Sequence, residues 1–516
     1  MTAAPGTSTF GPPAGDHSFA HLPTAFVCEG CGYRSPAAAR VPMRCPAALP
    51  GDDIDHVLGR TLDPDRLDFP TGTEANPFVR YRSLFHAAHV ASALGWTDRE
   101  YVALVARLDR AVRRVDGHGF SATPLLGSER LGRRLGMRRP VLVKDETHGV
   151  SGSHKARHLM GTALELEVAE ALERADPVLG GSVRPARLAI ASCGNAALAA
   201  AVVARAWQRE LLVFVPPEAD PAILDRLRHL EAVVTIVDRI PGVPGDPTVH
   251  RLRAAVEDGA VPFTCQGGDN GLALEGGETL GYELVTDLLA TGRRLDRLVV
   301  QVGGGALASS CARAFDDARR LGALDAPPRL HAVQSDSTRP LVRAYDLVAD
   351  RLAGLLGLGP IDGLPGARDP MVRAGAAERL QEALLDPKAR DVLVHVAHHR
   401  AAFMWPWESV PRSVAGGILD DETYDWLAVV RAMLQTGGYP IVASEDRLRE
   451  ANRVGRTSTG IDVDHTGSAG LAGLIELRLA GLVDPDETVA VLFTGIRRTP
   501  GPRPVAAPHA HRGATP

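Results

Sequence analysis

The segment VLVKDETHGVSGSHKARHL, residues 141–159, predicts a buried strand, a Gly/Ser turn and a helix that begins close to Lys155. Its first residues are nearly all apolar, which is typical of a strand that is covered on both faces of a parallel sheet. A lysine after such a strand places its amine near the carboxyl end of the sheet, where open α/β sheets bind ligands. Taken alone, the pattern is equally typical of a solvated lysine at a helix start, so its interpretation depends on the rest of the chain.

Outward from this segment, short apolar runs alternate with amphipathic helical stretches from about residue 120 onward. This alternation predicts an α/β fold with doubly wound, mostly parallel sheets. Strands are predicted at Val141–Lys144, Leu188–Ala191, Leu211–Val215, Val233–Val237, Arg297–Val302, Leu330–Val333 and Val489–Phe493. Helices are predicted at His154–Ala171, Ala196–Arg209, Pro221–Glu231 and Leu307–Arg320.

Composition shifts along the chain predict its organisation into two α/β domains. Both ends are rich in Pro, Gly, Ala and His, so we expect them to be disordered. The predicted parts are disordered tails at 1–20 and 499–516, an N-terminal Cys-containing accessory segment at 21–75, a large domain at 76–185 plus 271–498 with 345–440 as an insertion or lid, and a small domain at 186–270.

The overall composition excludes several classes of protein. Of the 516 residues, 45% are hydrophobic and 23% are charged, as in an ordinary soluble globular protein. The net charge of −5 argues against a nucleic-acid partner. There is no apolar run of about 18 residues for a membrane span, and the N-terminus lacks the features of a secretory signal. Six cysteines in so long a chain do not indicate a disulfide framework. We therefore expect a reduced, cytoplasmic protein.

Two further segments predict a strand, a turn and a helix in that order. In LAIASCGNAALAAAVVARAW, residues 188–207, backbone N–H groups at the helix start would suit a carboxylate, and Asn195 could donate a hydrogen bond. In LVVQVGGGALASSCARAF, residues 298–315, three consecutive glycines allow backbone donors to wrap a phosphate. This loop is neither a Walker A loop nor a G-x-G-x-x-G fingerprint. Each segment alone is also typical of a purely structural turn.

A fourth segment, VAVLFTGIRR at residues 489–498, is an apolar strand that ends in Thr-Gly. In this order the four segments resemble the tryptophan-synthase-like superfamily of pyridoxal 5′-phosphate (PLP) enzymes, known as fold type II. The resemblance covers most of residues 76–498 and implies that fold and PLP as cofactor. It extends to ATPLLGSERLG (122–132), EGGETLGYEL (275–284), LHAVQSDSTRPLVRAY (330–345) and GIDVDHTGSAGLAGL (460–474).

The resemblance implies a role for each matching residue. Lys155 matches the Schiff-base lysine, which also moves protons at the substrate's Cα and beyond. Asn195 matches the asparagine at the PLP 3′-oxygen, and Thr494 matches the hydroxyl residue that faces the pyridine nitrogen. A neutral hydroxyl there makes the ring a weaker electron sink, which suits elimination or replacement rather than transamination. Gly303, Gly304, Gly305 and Ala306 match the phosphate cradle, and Ser192, Cys193 and Gly194 match the loop that holds the substrate's α-carboxylate.

Within this superfamily the chain is most similar to threonine synthase, which eliminates phosphate from O-phosphohomoserine and then adds water at Cβ. FVCEGCGY at 26–33, followed by Cys45, resembles the Cys-rich start of many threonine synthases. The motif LFTG resembles that enzyme's LTG. The resemblance therefore implies a PLP-dependent lyase that acts on an amino acid, and we expect a homodimer.

Departures from the family pattern surround the expected substrate position. The usual Phe-Lys-Asp-Arg-Gly is replaced by residues 154–158, HKARH, and Cys193 stands where serine or threonine is common. His154 and Arg497 are therefore candidate substrate-binding residues. Three alternatives to threonine synthase stay open: a serine/threonine dehydratase-like ammonia-lyase, another PLP-dependent β- or γ-replacement enzyme, and a non-catalytic binding or regulatory protein of the same fold.

The accessory segment contains a weak metal motif. Cys28, Cys31 and Cys45 offer three thiolates, whereas a structural zinc ion needs four ligands. His56 could complete such a site. On the count of cysteines we expect no bound metal.

Overall fold

The computed structural model describes residues 22–36, 41–175, 186–239, 245–355, 357 and 369–498. The tails predicted at 1–20 and 499–516 lie outside the described residues. Among the described helices, none combines the length and apolar character that a membrane span requires.

The described residues form twelve strands and sixteen α-helices. The strands are β1 Thr24–Cys28, β2 Leu58–Leu62, β3 Leu125–Ser128, β4 Val141–Asp145, β5 Leu188–Ala191, β6 Leu211–Val215, β7 Val233–Ile236, β8 Val261–Pro262, β9 Arg297–Gln301, β10 Arg329–Ser335, β11 Ile441–Ala443 and β12 Val489–Phe493. The helices are α1 Pro77–Arg80, α2 His86–Ala93, α3 Asp98–Asp116, α4 Glu129–Arg134, α5 Lys155–Ala175, α6 Asn195–Trp207, α7 Pro221–His229, α8 Pro247–Glu257, α9 Leu272–Ala290, α10 Ala306–Arg320, α11 Pro340–Leu355, α12 Pro370–Ala383, α13 Pro387–His398, α14 Trp426–Thr436, α15 Glu445–Thr459 and α16 Ala469–Leu479.

The strands are arranged in three sheets. Six of them follow the order β11-β10-β9-β12-β4-β3, and all neighbours in this sheet are parallel except β3 and β4. A second, fully parallel sheet has the order β7-β6-β5-β8 and lies within the predicted small domain. In the accessory segment, β1 and β2 form an antiparallel pair. Helices of 9 to 21 residues follow most of the parallel strands, so the predicted α/β fold is confirmed.

The seven predicted strands are all present in the structure. Five further strands were missed. Two of them are short, because β8 has only two residues and β11 only three. The pair β1 and β2 lies in the accessory segment, where no strand was predicted. The edge strand β3 was missed for a different reason: its side chains are exposed or half-buried and show no clear alternation. The predicted domain limits stay a prediction.

The strand order brings together the turns that follow β4, β9 and β12. β12 pairs with both β4 and β9, so the segments that follow these three strands meet at the carboxyl edge of the six-stranded sheet. Ser153 forms an isolated antiparallel bridge with Gly495, which joins the turn after β4 to the turn after β12. This edge is where open α/β sheets bind ligands.

A buried charge network fixes the start of α5. Arg157 is 4% exposed, and its guanidinium donates to Glu146 Oε2 at 2.9 Å and to Glu283 Oε1 at 2.6 Å. Lys144 Nζ lies 2.9 Å from Glu283 Oε2. Burial alone would raise the pKa of Glu283, but the Arg157 and Lys144 charges outweigh it and lower that pKa to about 2. Removal of one partner from a buried pair costs about 3–5 kcal/mol, so this network holds the turn before Lys155 in place.

Candidate active site

A cavity of about 950 Å³ opens at the carboxyl edge of the six-stranded sheet, between that sheet and the start of α6. Each residue that the sequence analysis proposed for the cofactor or the substrate lines it. These residues are His154, Lys155, Ser192, Cys193, Gly194, Asn195, Gly303, Gly304, Gly305, Ala306, Thr494 and Arg497.

Lys155 is the first residue of α5. The turn that precedes it is held against β12, because the Ile496 amide donates to Gly152 O at 2.9 Å and the His154 amide donates to Thr494 O at 3.2 Å. Ser151 adopts a left-handed conformation with φ 58° in this turn, a strained state that side-chain-bearing residues rarely adopt outside functional sites. The lysine is therefore fixed beside Thr494.

The chain contains only three lysines, Lys144, Lys155 and Lys388. Lys144 is fully buried in the charge network described above. Lys388 lies in the first turn of α13, outside the cavity lining. Lys155 is thus the lysine that lines the cavity.

The glycine loop forms the start of α10 and is already occupied by an oxyanion. The Gly304 amide donates to the carboxylate of Asp420. A Cβ on Gly303 would lie 2.2 Å from Asp420 Oδ2, and a Cβ on Gly304 would lie 3.1 Å from the Tyr424 ring. Gly305, the N-cap, has φ 97°, which favours glycine. The loop therefore has the donors and the close approach that a phosphate requires, with Asp420 in the place of a phosphate oxygen.

Asp420 is a site residue that the sequence analysis missed. It belongs to an acidic run at 419–423, LDDET, within the segment predicted to be an insertion or lid. Desolvation raises the pKa of Asp420 to about 6, and the nearby charge of Lys155 opposes this rise. The acidic run was the available signal, but nothing in the sequence places it at the glycine loop.

Thr494 follows β12 and is 3% exposed. Its Oγ1 accepts a hydrogen bond from Gln301 Nε2 at 2.6 Å. Because Gln301 acts as donor, the hydroxyl hydrogen of Thr494 is available to an acceptor such as a pyridine nitrogen. Gln301, the last residue of β9, was also missed by the sequence analysis.

Asn195 is the first residue of α6, and its side-chain amide is held on both sides. Its Oδ1 accepts from Arg498 Nη2 at 2.9 Å, and the same Arg498 nitrogen donates to Ser151 O at 2.7 Å. On the other side, the amide donates to Asp464, whose pKa desolvation raises to about 6. One amide hydrogen of Asn195 is left to face the cavity.

The segment Ser192–Gly194 joins β5 to α6. Gly194 is the N-cap of α6, and the helix start has no side-chain capping bond. A Cβ on Gly194 would meet nothing within 4 Å. The amides at this helix end are therefore open to the cavity and can bind a carboxylate.

His154 and Arg497 lie at opposite depths of the cavity. His154 is 7% exposed, and burial together with the charge of Lys155 lowers its pKa well below its ordinary value, so its imidazole is neutral. Arg497 lies at the rim, where its guanidinium pairs with Asp462 at 2.8 and 3.3 Å. Arg497 therefore already has an anionic partner.

The weak metal motif lies apart from this cavity. Cys28, Cys31, Cys45 and His56 come together in the accessory segment, with their ligand atoms within 4.8 Å of one another. The expectation that no metal binds stays a prediction.

The donor set of the cavity fits PLP. A lysine, an oxyanion loop at a helix start, a hydroxyl donor and an amide donor match the aldehyde, phosphate, ring nitrogen and 3′-oxygen of that cofactor.

Comparison with known proteins agrees with this match. A family model described as pyridoxal-phosphate dependent enzyme matches residues 118–369. Threonine synthase of Methanocaldococcus jannaschii is 21% identical over 72% of this chain and 74% of its own length. Cysteate synthase of Methanoregula boonei is 25% identical over 71% of this chain and 73% of its own length.

Solved structures show the same fold. A PLP-dependent aspartate racemase superposes with a TM-score of 0.50 at 18% identity, covering 77% of this chain and 96% of the racemase. Diaminopropionate ammonia lyase from Escherichia coli gives a TM-score of 0.50 at 16% identity, covering 76% of this chain and 88% of the lyase. Over residues 118–369 the chain therefore matches the pyridoxal-phosphate dependent enzymes, its architecture is that of fold type II, and its cofactor is pyridoxal 5′-phosphate.

Proposed function

We propose that the protein eliminates or replaces a group at Cβ or Cγ of a small amino acid, with Lys155 as the residue that holds PLP covalently. The observation that carries this proposal is that, of three lysines, Lys155 is the one that lines the cavity. When bound, PLP withdraws electrons from the carbons next to the substrate's amino group.

The surrounding residues have distinct tasks in this proposal. The Lys155 amine would carry a proton to or from the substrate's Cα. The amides of Gly303–Gly305 would hold the cofactor phosphate in place of the Asp420 carboxylate, to which Gly304 donates here. The open start of α6 binds the α-carboxylate of the amino acid.

Thr494 supports elimination or replacement over transamination. Because Gln301 donates to the Thr494 oxygen, the Thr494 hydroxyl would donate its own hydrogen to the ring nitrogen of the cofactor. A neutral donor leaves that nitrogen unprotonated, and electron withdrawal by the ring is then weaker than with a carboxylate partner. Elimination and replacement at the side chain tolerate this weaker withdrawal better than transamination does.

The charge on the cavity wall bears on the substrate. Threonine synthase acts on O-phosphohomoserine, whose phosphate needs a second group of donors. Here Asp246, Asp420 and Asp421 lie on one wall, and Arg497 is already paired with Asp462. Like charges disfavour a phosphate beside that wall. We therefore propose a dehydratase-like or replacement reaction on an amino acid with a neutral or cationic side-chain group.

An anionic substrate would meet cationic side chains elsewhere in the cavity. Arg226 and Arg239 line it from the small domain and are exposed, and Arg498, which donates to Asn195, also lines it. A phosphate that reached them would lie away from the acidic wall. Turnover of O-phosphohomoserine at a higher kcat/KM than serine, threonine or 2,3-diaminopropionate would overturn the proposed substrate class and restore the threonine synthase reaction.

The attachment residue is tested by borohydride reduction of the holoenzyme followed by peptide mass mapping. We expect the pyridoxyl group on Lys155, no such label in Lys155→Ala, and an unchanged label in the control Lys388→Arg. Label on Lys144 or Lys388 in the wild type would refute the role of Lys155. Normal reduction at Lys155 without turnover of any amino acid would instead support a non-catalytic binding protein.

A further inference from the structure

The accessory segment brings four side chains to one point outside the active site. Cys28 and Cys31 lie on either side of the turn after β1, Cys45 approaches from the next loop, and His56 precedes β2. All four ligand atoms lie within 4.8 Å of one another. The four residues come from three separate segments of the chain: the turn after β1, the next loop and the stretch before β2. The sequence alone could count the thiols but could not show that His56 joins them.

The distances match a tetrahedral zinc site. Zn–S bonds are about 2.3 Å and Zn–N bonds about 2.0–2.1 Å, so the edges of the tetrahedron are about 3.8 Å between two sulfurs and about 3.6 Å between sulfur and nitrogen. Cys31 Sγ lies 3.6 Å from Cys45 Sγ. Cys28 Sγ lies 3.5 Å from His56 Nδ1. Both separations agree with the tetrahedral edges to about 0.2 Å.

The other ring nitrogen of His56 is oriented by a carboxylate. His56 Nε2 lies 3.1 Å from Asp52 Oδ2, and Asp52 is itself held by the Leu49 amide at 2.7 Å and the Ile54 amide at 3.3 Å. When Nε2 carries the hydrogen that it donates to Asp52, Nδ1 presents its lone pair to the three sulfurs. A carboxylate behind a ligating histidine is the usual support of a metal-bound imidazole.

The sulfurs also receive backbone donors. The amides of Gly30 and Cys31 donate to Cys28 Sγ, and the Ala47 amide donates to Cys45 Sγ. Gly32, just after Cys31, has φ 75° and lets the chain turn back towards β1. Amides that point at sulfur stabilise thiolate charge, which metal-bound cysteine carries.

We propose that Cys28, Cys31, Cys45 and His56 bind one zinc ion. Zinc suits this set because thiolate and imidazole ligands in a tetrahedral arrangement are its preferred environment. The protein supplies all four ligands, so no position stays open for water or substrate. The site is therefore structural rather than catalytic.

The zinc site would stabilise a wall of the active site. Asp55, next to His56, accepts from Trp426 Nε1 at 3.1 Å and lies 3.3 Å from Arg400 Nε. Arg400 also pairs with Glu422. Trp426 starts α14 immediately after the acidic run that reaches the glycine loop. Loss of the metal should therefore loosen this run as well as the accessory segment.

The test is the metal content of the full-length protein purified from zinc-supplemented medium. We expect about one zinc per chain in the wild type and less than about 0.1 in Cys45→Ser and His56→Ala. The matched control Cys193→Ser removes a thiol outside the site and should keep its zinc. Replacement of zinc by Co²⁺ should give the thiolate-to-cobalt absorption and the visible bands of a tetrahedral site.

Two results would overturn the proposal. One is wild-type protein with less than about 0.1 zinc per chain and freely titrating thiols. The other is a non-reducing mass spectrum that is two hydrogens lighter and assigns a Cys31–Cys45 disulfide. These measurements are made on wild-type protein, so they decide the question even where Cys45→Ser or His56→Ala fails to fold. Reduced PLP content in a zinc-free but folded protein would support the link from Asp55 to the active-site wall.

Discussion

Two helix starts face the same cavity, but they treat a ligand differently. At α10, a Cβ on Gly303 would lie 2.2 Å from Asp420 Oδ2 and 2.9 Å from Ile418 Cα. At α6, a Cβ on Gly194 would meet nothing within 4 Å. Both helices present backbone amides and a positive dipole end at their starts, although the Gly304 amide donates to Asp420 and the Gly194 amide donates to Ser192 Oγ at 3.4 Å. The difference indicates that α10 grips a group of fixed shape, whereas α6 leaves room for a group that varies.

The two helix starts also differ in what lies against them. The α10 loop already holds a carboxylate of its own chain, from Asp420. At α6, Asn195 is held by Arg498 and Asp464, which orient the amide without covering the helix end. On the proposed roles, Asp420 would have to leave α10 before the amides there could hold the cofactor phosphate, whereas no such carboxylate covers the start of α6. The following predictions test this contrast.

The largest effect is expected from Gly304→Val. The new side chain would meet the Tyr424 ring and would keep the phosphate away from the loop amides. Loss of charge-assisted hydrogen bonds together with overpacking should weaken PLP affinity on the order of 10³-fold. The measurement is an absorbance titration of the apoprotein with PLP.

Gly194→Ala is the matched control at the other helix. It adds a Cβ where there is open space, so PLP affinity should change little while the KM for the amino acid changes. Thermal unfolding of both apoproteins shows whether the fold is kept. Equal losses of PLP affinity in the two folded variants would show that the starts of α10 and α6 do not differ in their contact with the cofactor.

The next effect concerns Thr494, which would face the pyridine ring of the cofactor. Thr494→Ser keeps a neutral hydroxyl beside Gln301 and should keep most activity. Thr494→Asp should stabilise a protonated ring nitrogen and lower kcat for the native reaction on the order of 10²-fold or more. A buried carboxylate is costly, so PLP binding by the Asp variant is measured first. An Asp variant that binds PLP and turns over as fast as the wild type would show that Thr494 does not face the ring nitrogen.

A smaller, pH-dependent effect is expected from Asp420→Asn. Desolvation raises the pKa of Asp420 to about 6, so its carboxyl is neutral well below that pH and charged above it. The charged form competes with the cofactor phosphate. At pH 8 the Asn variant should bind PLP about tenfold more tightly than the wild type, and at pH 5 the two should be nearly equal.

The phosphate also titrates near pH 6, but it does so in both proteins, so the ratio of their affinities isolates Asp420. The sign for stability follows from the same shift. The pKa of Asp420 in the folded protein lies above the ordinary value of 3.8. Asp420 therefore lowers the free energy of unfolding of the wild-type apoprotein as the pH rises from about 4 to 6. Asp420→Asn should remove this part of the pH dependence. An affinity ratio that is the same at both pH values would show that Asp420 does not compete for the loop.

The sequence predicts a residue of this site only where a pattern in its immediate neighbours along the chain identifies it. Asn195, Gly303–Gly305 and Thr494 lie within four residues after a strand, and Lys155 follows the turn after β4, so a strand-and-turn pattern was enough to find them. Their convergence in one cavity required the strand order, which the resemblance to a known family supplied. The seven predicted strands were found for the same local reason.

The parts that sequence reasoning missed depend on distant contacts. Gln301 reaches Thr494 across 193 positions in the chain, and Arg498 reaches Asn195 across 303. Asp420 reaches the glycine loop from a segment without a clear periodic pattern. His56 was recognised as a possible fourth ligand, but only the packing of β1 against β2 brings it to the cysteines.

The smallest effect is expected from Cys193→Ser, at the α6 side of the cavity. Cys193 is exposed, lies between Ser192 and Gly194, and lines the cavity from the loop that precedes α6. A serine hydroxyl has nearly the same size as the thiol but is a stronger donor. One additional hydrogen bond contributes about 1 kcal/mol, so KM for the amino acid should change by less than about tenfold.

If the amides at α10, and not those at α6, hold the phosphate as proposed, Cys193→Ser should leave PLP affinity within about twofold of the wild type. Steady-state kinetics with the best substrate of the amino-acid screen gives KM, and the PLP titration gives the cofactor affinity on the same preparation. A lower KM with unchanged PLP affinity would show that this loop contacts the amino acid alone. A loss of PLP affinity comparable with that of Gly304→Val would mean that the α6 loop also holds the cofactor. The open space beside Gly194 would then belong to the cofactor rather than to a variable substrate, and the division of tasks between the two helices would be wrong.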